Sequence, residues 1–547
     1  MTDTDMQQDV LRIERLTVSL KQTGAATVRD ISFSIKAGET LCVVGESGSG
    51  KSVTSLAVMG LLDPAALAVT AGRIVVDGTD VLAASREDLQ KMRATRMSMV
   101  FQEPMTALNP VETVGAQVEE VLRVHGETDR TKRRKRVLEM FEAVHLPEPE
   151  RIYTSYPHQL SGGQRQRIVI SMALIMRPKL LIADEPTTAL DVTTQRQILL
   201  LIGELQKRYG TAVLFITHDF GVVSEIADRI VVMNRGDMVE IGSRDAVLAN
   251  PKQDYTRMLV ASVPSLSPPE RTSLAGSEVL RVTGLTKVYA CGGFFFGKRQ
   301  VDALKPTDLD LRRGEIFGVV GESGSGKTTF ARCLTRLIQP SAGSILLDGT
   351  DISQMRARAL RPHRRRLQVV FQDPFRSLNA RMRVRDVIVE GMLNFGAPKD
   401  EAYERAGVLM ERVGLSRDML GRFPHQFSGG QRQRISIARA LALEPDILVA
   451  DESVSALDVS VQKQVLELLR GICDDNGVGI LFITHDLRVA AQICDRIAVM
   501  RKGEVVEAGT AHAVLSNPSH AYTRDLIAAA PGRHWDFANF KAYGPPA

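Results

Sequence analysis

The sequence predicts an α/β fold that occurs twice in tandem within one chain of 547 residues. A glycine-rich loop, an acidic pair and a histidine each follow a largely apolar run, and each of these features occurs twice. Three repeated positions share one offset, because 428 − 161, 452 − 185 and 485 − 218 all equal 267; the pairs are Ser161 with Ser428, Glu185 with Glu452, and His218 with His485. A duplication this strict indicates two copies of one functional unit.

Composition and charge narrow the classes of protein to consider. The chain is 44% hydrophobic and 24% charged, which is typical of a globular protein long enough for two large domains. Its net charge of +5 is small for this length, so nucleic acid is not an expected partner. The five cysteines include no Cys-x-x-Cys pair, and neither a zinc site nor a disulfide framework is predicted. No apolar run reaches the roughly 18–20 residues of a membrane helix, and we expect a soluble protein without a signal peptide.

Each copy opens and closes in the same way. Val10-Leu-Arg-Ile-Glu-Arg-Leu16 and Val279-Leu-Arg-Val-Thr-Gly-Leu285 open the copies, and Tyr255-Thr-Arg and Tyr522-Thr-Arg lie near their ends. Residues 263–278 contain three prolines and four serines without apolar periodicity, which is typical of a linker. The predicted domains are therefore residues 1–262 and 279–547, joined by the linker 263–278.

Short apolar runs in each copy predict buried parallel strands. In the first copy, Leu41-Cys-Val-Val44 leads into the glycine loop, Leu180-Leu-Ile-Ala183 ends at Asp184, and Val213-Leu-Phe-Ile-Thr217 ends at His218. Continuous apolar runs are typical of parallel strands that are covered on both faces. Functional side chains then collect at the carboxyl ends of those strands. The stretch between Gln102 and Ser161 is predicted to be helical and to form a separate subdomain.

The glycine loop is the strongest single signal. Gly45-Glu-Ser-Gly-Ser-Gly-Lys51-Ser52 recurs as Gly321-Glu-Ser-Gly-Ser-Gly-Lys327-Thr328, each time between an apolar strand and a helical run. Such a loop wraps its backbone N–H groups around phosphates, with its lysine on the β- and γ-phosphates and its final hydroxyl on Mg²⁺. A chance cluster of glycines is the alternative, which the repeated strand–loop–helix context disfavours. The predicted ATP-binding residues here are Gly45, Glu46, Ser47, Gly48, Ser49, Gly50, Lys51 and Ser52, with Gly321, Glu322, Ser323, Gly324, Ser325, Gly326, Lys327 and Thr328.

The acidic pairs and the histidines complete a hydrolytic site. Asp184 and Asp451 end apolar strands, where a carboxylate holds Mg²⁺ through water. The next residues, Glu185 and Glu452, suit the general base that polarises the attacking water. A solvated acidic turn is the alternative for the carboxylates, and a structural hydrogen bond is the alternative for His218 and His485. The repeated spacing favours catalytic roles for Glu185, His218, Glu452 and His485.

A second phosphate-binding end is predicted in each copy. Ser-Gly-Gly-Gln-Arg-Gln-Arg begins at Ser161 and again at Ser428, each time before a helical run. A serine and two glycines at a helix N-terminus favour an anion. One domain then has two such ends, one more than a single nucleotide needs, which suggests a head-to-tail pair with each ATP between two domains. The predicted contacts are Ser161, Gly162, Gly163 and Gln164, with Ser428, Gly429, Gly430 and Gln431.

These motifs together resemble the ATP-binding cassette (ABC) family over nearly the whole chain. The resemblance implies two P-loop domains, each a RecA-like core with a helical subdomain, that bind ATP and Mg²⁺. It implies that Gln102 and Gln372 sense Mg²⁺ and the attacking water, and that His218 and His485 contact the γ-phosphate. It further implies that Ala189-Leu-Asp191 and Ala456-Leu-Asp458 couple the two sites. Site one would be Lys51, Glu185 and His218 closed by residues 428–431, and site two Lys327, Glu452 and His485 closed by residues 161–164.

Narrower motifs resemble one branch of the family. Phe101-Gln-Glu-Pro-Met-Thr-Ala-Leu-Asn-Pro110, Tyr156-Pro-His-Gln-Leu160 and the Tyr-Thr-Arg endings are similar to ATPases of importers for dipeptides, oligopeptides, nickel and glutathione. We expect an ATP-hydrolysing subunit that powers import of short peptides or related solutes. Its partners would be two integral-membrane permeases and an extracytoplasmic binding protein, with the chain peripheral on the cytoplasmic face of the inner membrane. The alternatives are a soluble twin-cassette ATPase acting on ribosomes or DNA, and the ATPase of a sugar importer.

The sequence departs from the family pattern at two positions that bear on the sites. Leu20 stands opposite Tyr289, where the family stacks an aromatic ring on adenine, and we expect site one to hold ATP less tightly. Ser453 follows Glu452, where the first copy has Pro186 after its own glutamate. Because both glutamates are present, we expect both sites to hydrolyse ATP. An insertion with Phe294-Phe-Phe296 is expected to pack partly against its own domain.

Overall fold

The computed structural model describes residues 9–102, 107–188, 190–269, 276–291, 299–455 and 457–543. The chain divides into two compact units, one of Met1–Val263 with Pro531–Ala547 and one of Pro264–Ala530. The sequence assigns all of residues 279–547 to the second domain, whereas the contacts group the last of these residues with the first unit. One contact that joins them to the first unit is the hydrogen bond from the backbone N–H of Gly532 to Glu225 Oε1, at 3.0 Å.

The two units contain closely similar series of elements. Among the described residues, the helix Pro374–Ser377 and the C-terminal strand pair occur in one unit only, and the helix Pro149–Tyr153 of the first unit corresponds to a 3₁₀ helix, Arg417–Gly421, in the second. The strands are β1 (Asp9–Leu20), β2 (Ala26–Lys36), β3 (Thr40–Val44), β4 (Leu67–Val76), β5 (Thr79–Asp80), β6 (Met97–Val100), β7 (Leu180–Asp184), β8 (Ala212–Ile216), β9 (Arg229–Asn234), β10 (Asp237–Ser243), β11 (Glu278–Cys291), β12 (Arg299–Arg312), β13 (Ile316–Val320), β14 (Ala342–Leu347), β15 (Thr350–Asp351), β16 (Leu367–Val370), β17 (Ile447–Asp451), β18 (Gly479–Thr484), β19 (Arg496–Arg501), β20 (Glu504–Thr510), β21 (Trp535–Asp536) and β22 (Lys541–Ala542). The α-helices are α1 (Lys51–Val58), α2 (Arg86–Thr95), α3 (Val114–Val124), α4 (Arg130–Ala143), α5 (Pro149–Tyr153), α6 (Gly162–Leu174), α7 (Val192–Tyr209), α8 (Phe220–Ile226), α9 (Arg244–Ala249), α10 (Asp254–Ala261), α11 (Lys327–Leu334), α12 (Ala357–Arg366), α13 (Pro374–Ser377), α14 (Val384–Asn394), α15 (Lys399–Arg412), α16 (Gly429–Leu441), α17 (Val459–Asn476), α18 (Leu487–Ile493), α19 (Ala511–Ser516) and α20 (Ala521–Ala529). Short 3₁₀ helices span Pro157–Gln159, Arg417–Gly421 and Pro424–Gln426.

The core of each unit is a six-stranded, mostly parallel sheet. In the first unit the order is β10-β9-β3-β8-β7-β6, and in the second it is β16-β17-β18-β13-β19-β20. Only the edge strands β10 and β20 run antiparallel to their neighbours. All residues of β3, β7 and β8 are buried, as the apolar runs of the sequence predicted. The carboxyl ends of these neighbouring strands lead directly to the glycine loop, to Asp184 and to His218.

A four-stranded antiparallel sheet accompanies each core. Its order is β2-β1-β4-β5 in the first unit and β12-β11-β14-β15 in the second. The inward side chains Leu11, Ile13 and Ile74 are at most 1% exposed, and they pack in one cluster with Leu41 and Val43 of the parallel sheet. This cluster fixes the base of the glycine loop, because β3 leads directly into that loop.

The segment between Gln102 and Ser161 is helical, as predicted. Helices α3 and α4 lie within it, and α6 begins directly after Ser161. The basic run at residues 131–136 lies on α4, where Arg134 pairs with Glu150 at 2.6 Å. Such pairing is typical of a basic run on a solvated helix face.

Candidate active sites

The glycine loop of the first unit has a backbone that only glycine adopts easily. Gly50 has φ 102° and forms the N-cap of α1. Gly45 has φ 151°, and a Cβ atom there would lie 2.2 Å from the carbonyl oxygen of Met233. In the second unit, Gly321 and Gly326 have φ of 153° and 107°. A side chain at these positions would be strained or would push the loop away from the sheet.

The loop's own carbonyls hold each lysine. Lys51 Nζ donates to the carbonyl oxygens of Gly45 at 2.7 Å and Glu46 at 2.9 Å, and the side chain is buried. Lys327 makes the same two contacts at 2.7 Å and 2.9 Å. A buried ammonium group needs polar partners of this kind. The positive charge is therefore fixed beside the loop, where phosphate oxygens are predicted to bind.

The aspartates at the ends of β7 and β17 are buried but differ in their partners. Asp184 Oδ1 accepts a hydrogen bond from Ser52 Oγ at 3.3 Å, and burial raises its pKa. Asp451 Oδ1 is buried without a hydrogen-bond partner among the described residues. Burial, together with the charge of Glu452, raises the pKa of Asp451 to about 6. An unpaired buried carboxylate oxygen is costly unless a cation or water satisfies it.

Each glutamate that follows is the centre of a hydrogen-bonded group. Glu185 Oε2 accepts from Gln102 Nε2 at 2.9 Å and from Thr188 Oγ1 at 3.0 Å. Its other oxygen lies 3.1 Å from Nδ1 of His218. The structure therefore brings together three residues that lie far apart in sequence, Gln102, Glu185 and His218, as a hydrolytic site requires.

The second unit repeats this group with small differences. Gln372 Nε2 donates to Glu452 Oε2 at 2.7 Å, and His485 Nδ1 lies 3.5 Å from Glu452 Oε1. The residue that corresponds to Thr188 is Ser455, but its hydroxyl donates to the backbone carbonyl of Glu452 at 3.0 Å. The carboxylate of Glu452 thus lacks the hydroxyl contact that Glu185 has.

Both glutamates are held in the ionised form. Burial opposes ionisation of Glu185, but the hydrogen bond and charge of His218 outweigh it and lower the pKa to about 2. The pKa of Glu452 is also lowered, again against burial, by His485. In return, Glu452 raises the pKa of His485 against the effect of burial. Both carboxylates are therefore ionised at neutral pH, which is the protonation state that the predicted role as general base requires.

The signature segments begin two well-capped helices. Ser161 Oγ accepts the backbone N–H of Gln164 at 3.2 Å, and Gln164 Oε1 accepts the backbone N–H of Ser161 at 3.0 Å. Ser428 and Gln431 form the same capping box in the second unit. A Cβ atom at Gly163 would lie 2.6 Å from the Thr194 side chain, which explains that glycine by close packing. The pairing of each signature with the opposite glycine loop stays a prediction.

Leu20 and Tyr289 lie at corresponding places near the ends of β1 and β11. Their exposed fractions are 37% and 39%, so both side chains are partly exposed to solvent. Lys287 Nζ lies 5.1 Å from the centre of the Tyr289 ring. Three features from the sequence, Ala189, Ala456 and Phe294-Phe-Phe296, lie outside the described residues.

Sequence reasoning did not single out Thr188. Its hydroxyl contacts the Glu185 carboxylate directly. The available signal was a hydroxyl residue three positions after each glutamate, since Ser455 occupies the same place after Glu452. That signal could not have shown that only one of the two hydroxyls contacts a carboxylate.

The residues present fit an Mg²⁺ ion that arrives with a nucleotide. Asp451 Oδ1 lacks a partner within the described part of the chain, and Thr328 and Gln372 are the other residues predicted for the ion there. Ser52, Gln102 and Asp184 are their counterparts in the first unit. Within the described residues, no group of three or more His, Cys, Asp or Glu side chains could hold a metal ion. The ion would therefore need phosphate oxygens or waters as further ligands.

No α-helix in the described part of the chain is both long enough and apolar enough to cross a membrane.

Comparison with known families agrees with this geometry. A family described as "ABC transporter" matches residues 28–188 and 304–455. A second family, "Oligopeptide/dipeptide transporter, C-terminal region", matches residues 239–299 and 506–538. The two matches of the first family include both glycine loops and both acidic pairs. The second covers the end of each repeat.

Two proteins of similar sequence match this chain over nearly its whole length, and a solved structure matches less than half of it. Glutathione import ATP-binding protein GsiA of Escherichia coli strain K12 is 45% identical over 558 residues, which cover 96% of this chain and 90% of that protein. The protein of the same name from Shigella dysenteriae serotype 1 is also 45% identical, with the same coverage. A solved dimeric structure, the ATP-binding cassette MJ0796 bound to ADP and Pi, matches 42% of this chain and 98% of that chain at 28% identity, with a TM-score of 0.39.

The resemblance predicted from the motifs is thus confirmed at the level of the family and of the peptide-transporter branch. The α/β fold with two cassettes is confirmed as well. The chain belongs to the ABC transporter family and is an ATPase of that family, with two ATP-binding cassettes in one polypeptide and the C-terminal region of oligopeptide/dipeptide transporters after each.

Proposed function

We propose that this chain hydrolyses ATP at two sites to power the import of short peptides or related small solutes. One observation carries the catalytic part of the proposal. A glutamate that is held ionised contacts a glutamine and a histidine, and this arrangement occurs in both units.

The residues of each unit divide the chemistry between them. The lysine and the backbone of the glycine loop bind the β- and γ-phosphates. Glu185 accepts a proton from the attacking water. Gln102 contacts the same water, and its hydrogen bond to Glu185 holds its side chain beside that carboxylate. His218 keeps Glu185 ionised and lies beside the γ-phosphate position. Glu452, Gln372 and His485 do the same in the second unit.

Mg²⁺ completes the site. Ser52 and Asp184, and Thr328 and Asp451, are the residues that would hold it, with Gln102 and Gln372 close by. Bound with ATP, the ion neutralises charge on the transferring phosphoryl group and orients it.

The two sites work as a pair in this proposal. Each ATP lies between the glycine loop of one cassette and the signature helix of the other. Residues 428–431 therefore close site one, and residues 161–164 close site two. The support is the capped helix N-terminus in each unit, whose positive end attracts phosphate. ATP binding would bring the cassettes together, and hydrolysis would release them.

Transport then requires partners in the membrane. The proposed partners are two integral-membrane permeases and an extracytoplasmic binding protein, with this chain peripheral on the cytoplasmic face of the inner membrane. The peptide-transporter region after each cassette supports this assembly. Relatives named for glutathione import support a short peptide or a peptide-like solute as cargo.

Affinity purification tests the transport proposal. The tagged chain is isolated from detergent-solubilised membranes, and mass spectrometry identifies the proteins that accompany it. Two permeases, each with several membrane spans, are expected in stoichiometric amounts. Ribosomal proteins or DNA-repair factors without permeases would contradict import and leave only the twin ATPase.

A further inference from the structure

A tyrosine contacts the glycine loop from outside the cassette motifs in both units. Tyr255 lies in the first turn of α10, and Tyr522 lies in the first turn of α20. Both belong to the Tyr-Thr-Arg segments and lie in the region matched as the C-terminal part of oligopeptide/dipeptide transporters. Neither lies in the stretch matched as the ABC transporter family.

Each tyrosine hydroxyl meets the second residue of its loop. The backbone N–H of Glu46 donates to Tyr255 Oη at 3.4 Å, and the same hydroxyl donates to the Glu46 carboxylate at 3.4 Å. In the second unit, the backbone N–H of Glu322 donates to Tyr522 Oη at 3.3 Å. These contacts are long for hydrogen bonds, but their occurrence in both units argues against chance.

The lysine and the tyrosine contact the same loop residue, the lysine at its carbonyl oxygen and the tyrosine at its N–H group. The N–H group of Glu46 contacts Tyr255, while its carbonyl oxygen accepts from Lys51 Nζ at 2.9 Å. Glu322 is held in the same way, by Tyr522 on its N–H and by Lys327 on its carbonyl. The tyrosine hydroxyl and the predicted phosphate-binding lysine are therefore linked through one shared residue of the loop.

The surrounding structure fixes the tyrosine-bearing helices. The carboxylate of Glu240 on β10 accepts the backbone N–H groups of Lys252 at 2.9 Å and Gln253 at 3.2 Å, just before α10. Glu507 on β20 accepts those of Ser519 at 2.7 Å and His520 at 3.2 Å before α20. The antiparallel edge strand of each six-stranded sheet thus helps to position the tyrosine-bearing helix.

The second tyrosine is more deeply buried than the first. Tyr522 is 5% exposed, and burial raises its pKa to about 12, which keeps the hydroxyl protonated. The Arg501 guanidinium lies 4.7 Å from the centre of its ring. The position that corresponds to Arg501 in the first unit is Asn234, which has no positive charge to place on Tyr255.

We propose that Tyr255 and Tyr522 are positioning residues for ATP binding. Each fixes the second residue of its glycine loop, so that the lysine and the loop N–H groups are already arranged for phosphate before ATP arrives. Preorganisation of this kind improves affinity because the loop loses less conformational freedom on binding. The inference rests on the proposed role of the loops in ATP binding, and it assigns a function to the peptide-transporter region next to the cassette.

Removing one hydroxyl tests the proposal in the full chain. Tyr522→Phe is combined with Glu185→Gln, so that turnover reports the second site. We expect KM for ATP to rise about 3–10-fold while kcat changes less than about 2-fold, as for the loss of one hydrogen bond in the ground state.

A matched control separates positioning from simple stability. The hydroxyl of Tyr403 donates to Asp386 Oδ1 at 2.8 Å in the helical subdomain of the second unit, away from the glycine loop. Tyr403→Phe should lower thermal stability at least as much as Tyr522→Phe does, but leave KM for ATP unchanged. An unchanged KM in Tyr522→Phe, or an equal rise in Tyr403→Phe, would overturn the proposal.

Equilibrium binding distinguishes this inference from the catalytic assignment. The dissociation constant for ATP is measured in parallel with Lys51→Ala in place of Glu185→Gln, so that only the second site binds. A larger dissociation constant in Tyr522→Phe, which means weaker ATP binding, supports positioning even if Glu185→Gln abolishes all turnover. Loss of turnover in the Glu185→Gln background, taken alone, would mean that the two sites do not hydrolyse ATP independently. It would not contradict the positioning role of the tyrosine.

Discussion

Substitution of Ser453 by proline is expected to stabilise the second unit. Ser453 is 3% exposed, and its hydroxyl has no hydrogen-bond partner among the described residues. The first unit has Pro186 at this place. The preceding glutamates have nearly the same backbone, with φ of 46° at Glu452 and 48° at Glu185. The loop of the second unit therefore already has a conformation in which the first unit accommodates proline.

Two effects determine the size of the change. A buried hydroxyl without a partner costs about 1–3 kcal/mol, which the proline removes. Proline at a compatible position adds about 0.4–1 kcal/mol by restricting the unfolded chain. Allowing for imperfect packing of the ring, we expect a net gain of about 1–2 kcal/mol. For a domain of this size, such a gain raises Tm by about 3–6 °C.

Differential scanning calorimetry of the full chain measures the shift. Ser453→Pro should raise the Tm of one transition, and Ser453→Ala should give only the part that comes from the hydroxyl. Pro186→Ser is the matched reverse change and should lower the Tm of the first unit. A lower Tm for Ser453→Pro would refute the reasoning, because it would mean that the two loops are not equivalent.

Three further predictions concern ATP affinity, catalysis and thiol chemistry. Leu20→Tyr should tighten ATP binding at site one about 5–160-fold, since base stacking on an aromatic ring contributes about 1–3 kcal/mol. The dissociation constant is measured with Lys327→Ala present, and an unchanged constant would contradict stacking at this position. Thr188→Ala should lower kcat about 3–10-fold in the Glu452→Gln background, because it removes one hydrogen bond to the general base. Thr188→Ser keeps the hydroxyl and should retain activity. Equal activity of the two variants would exclude a catalytic contribution from the hydroxyl. Burial raises the pKa of Cys333 to about 11 and of Cys473 to about 12, and those of Cys42 and Cys494 further. Iodoacetamide at pH 8 should therefore leave these four unmodified in the native chain and label them after denaturation, as peptide mass spectrometry would detect.

Much of the site could be predicted because its residues lie in short motifs with a clear local context. The apolar runs identified β3, β7 and β8 as buried strands, and the parallel arrangement then implied that their carboxyl ends meet. Duplication added independent support, because each motif occurred in the same context twice. The contact of Gln102 with Glu185 follows this logic across 83 residues of sequence.

Other features depend on contacts between residues that lie far apart in sequence, and local sequence patterns do not indicate such contacts. The contact of Tyr255 with Glu46 joins residues 209 apart, and the Tyr-Thr-Arg segment gives no sign of it. The grouping of the last residues with the first unit has the same origin: Gly532 N–H donates to Glu225 Oε1 at 3.0 Å, which lies 307 residues earlier. The unequal partners of Asp184 and Asp451 depend on side-chain geometry, since the motifs around them are nearly identical.

The proposed head-to-tail arrangement of the sites is the central claim, and one set of variants tests it most directly. A Cβ atom at Gly429 would meet no atom within 4 Å, and one at Gly162 only a side-chain atom at 3.8 Å, so both places have room for the Cβ atom of an aspartate. Its negative charge at the helix N-terminus would repel phosphate. ATP turnover is measured for Gly429→Asp and Gly162→Asp, each in the Glu452→Gln background, where site one alone is active. We predict that Gly429→Asp abolishes turnover and Gly162→Asp preserves it; the reverse result would show that each signature serves its own cassette and would contradict the claim.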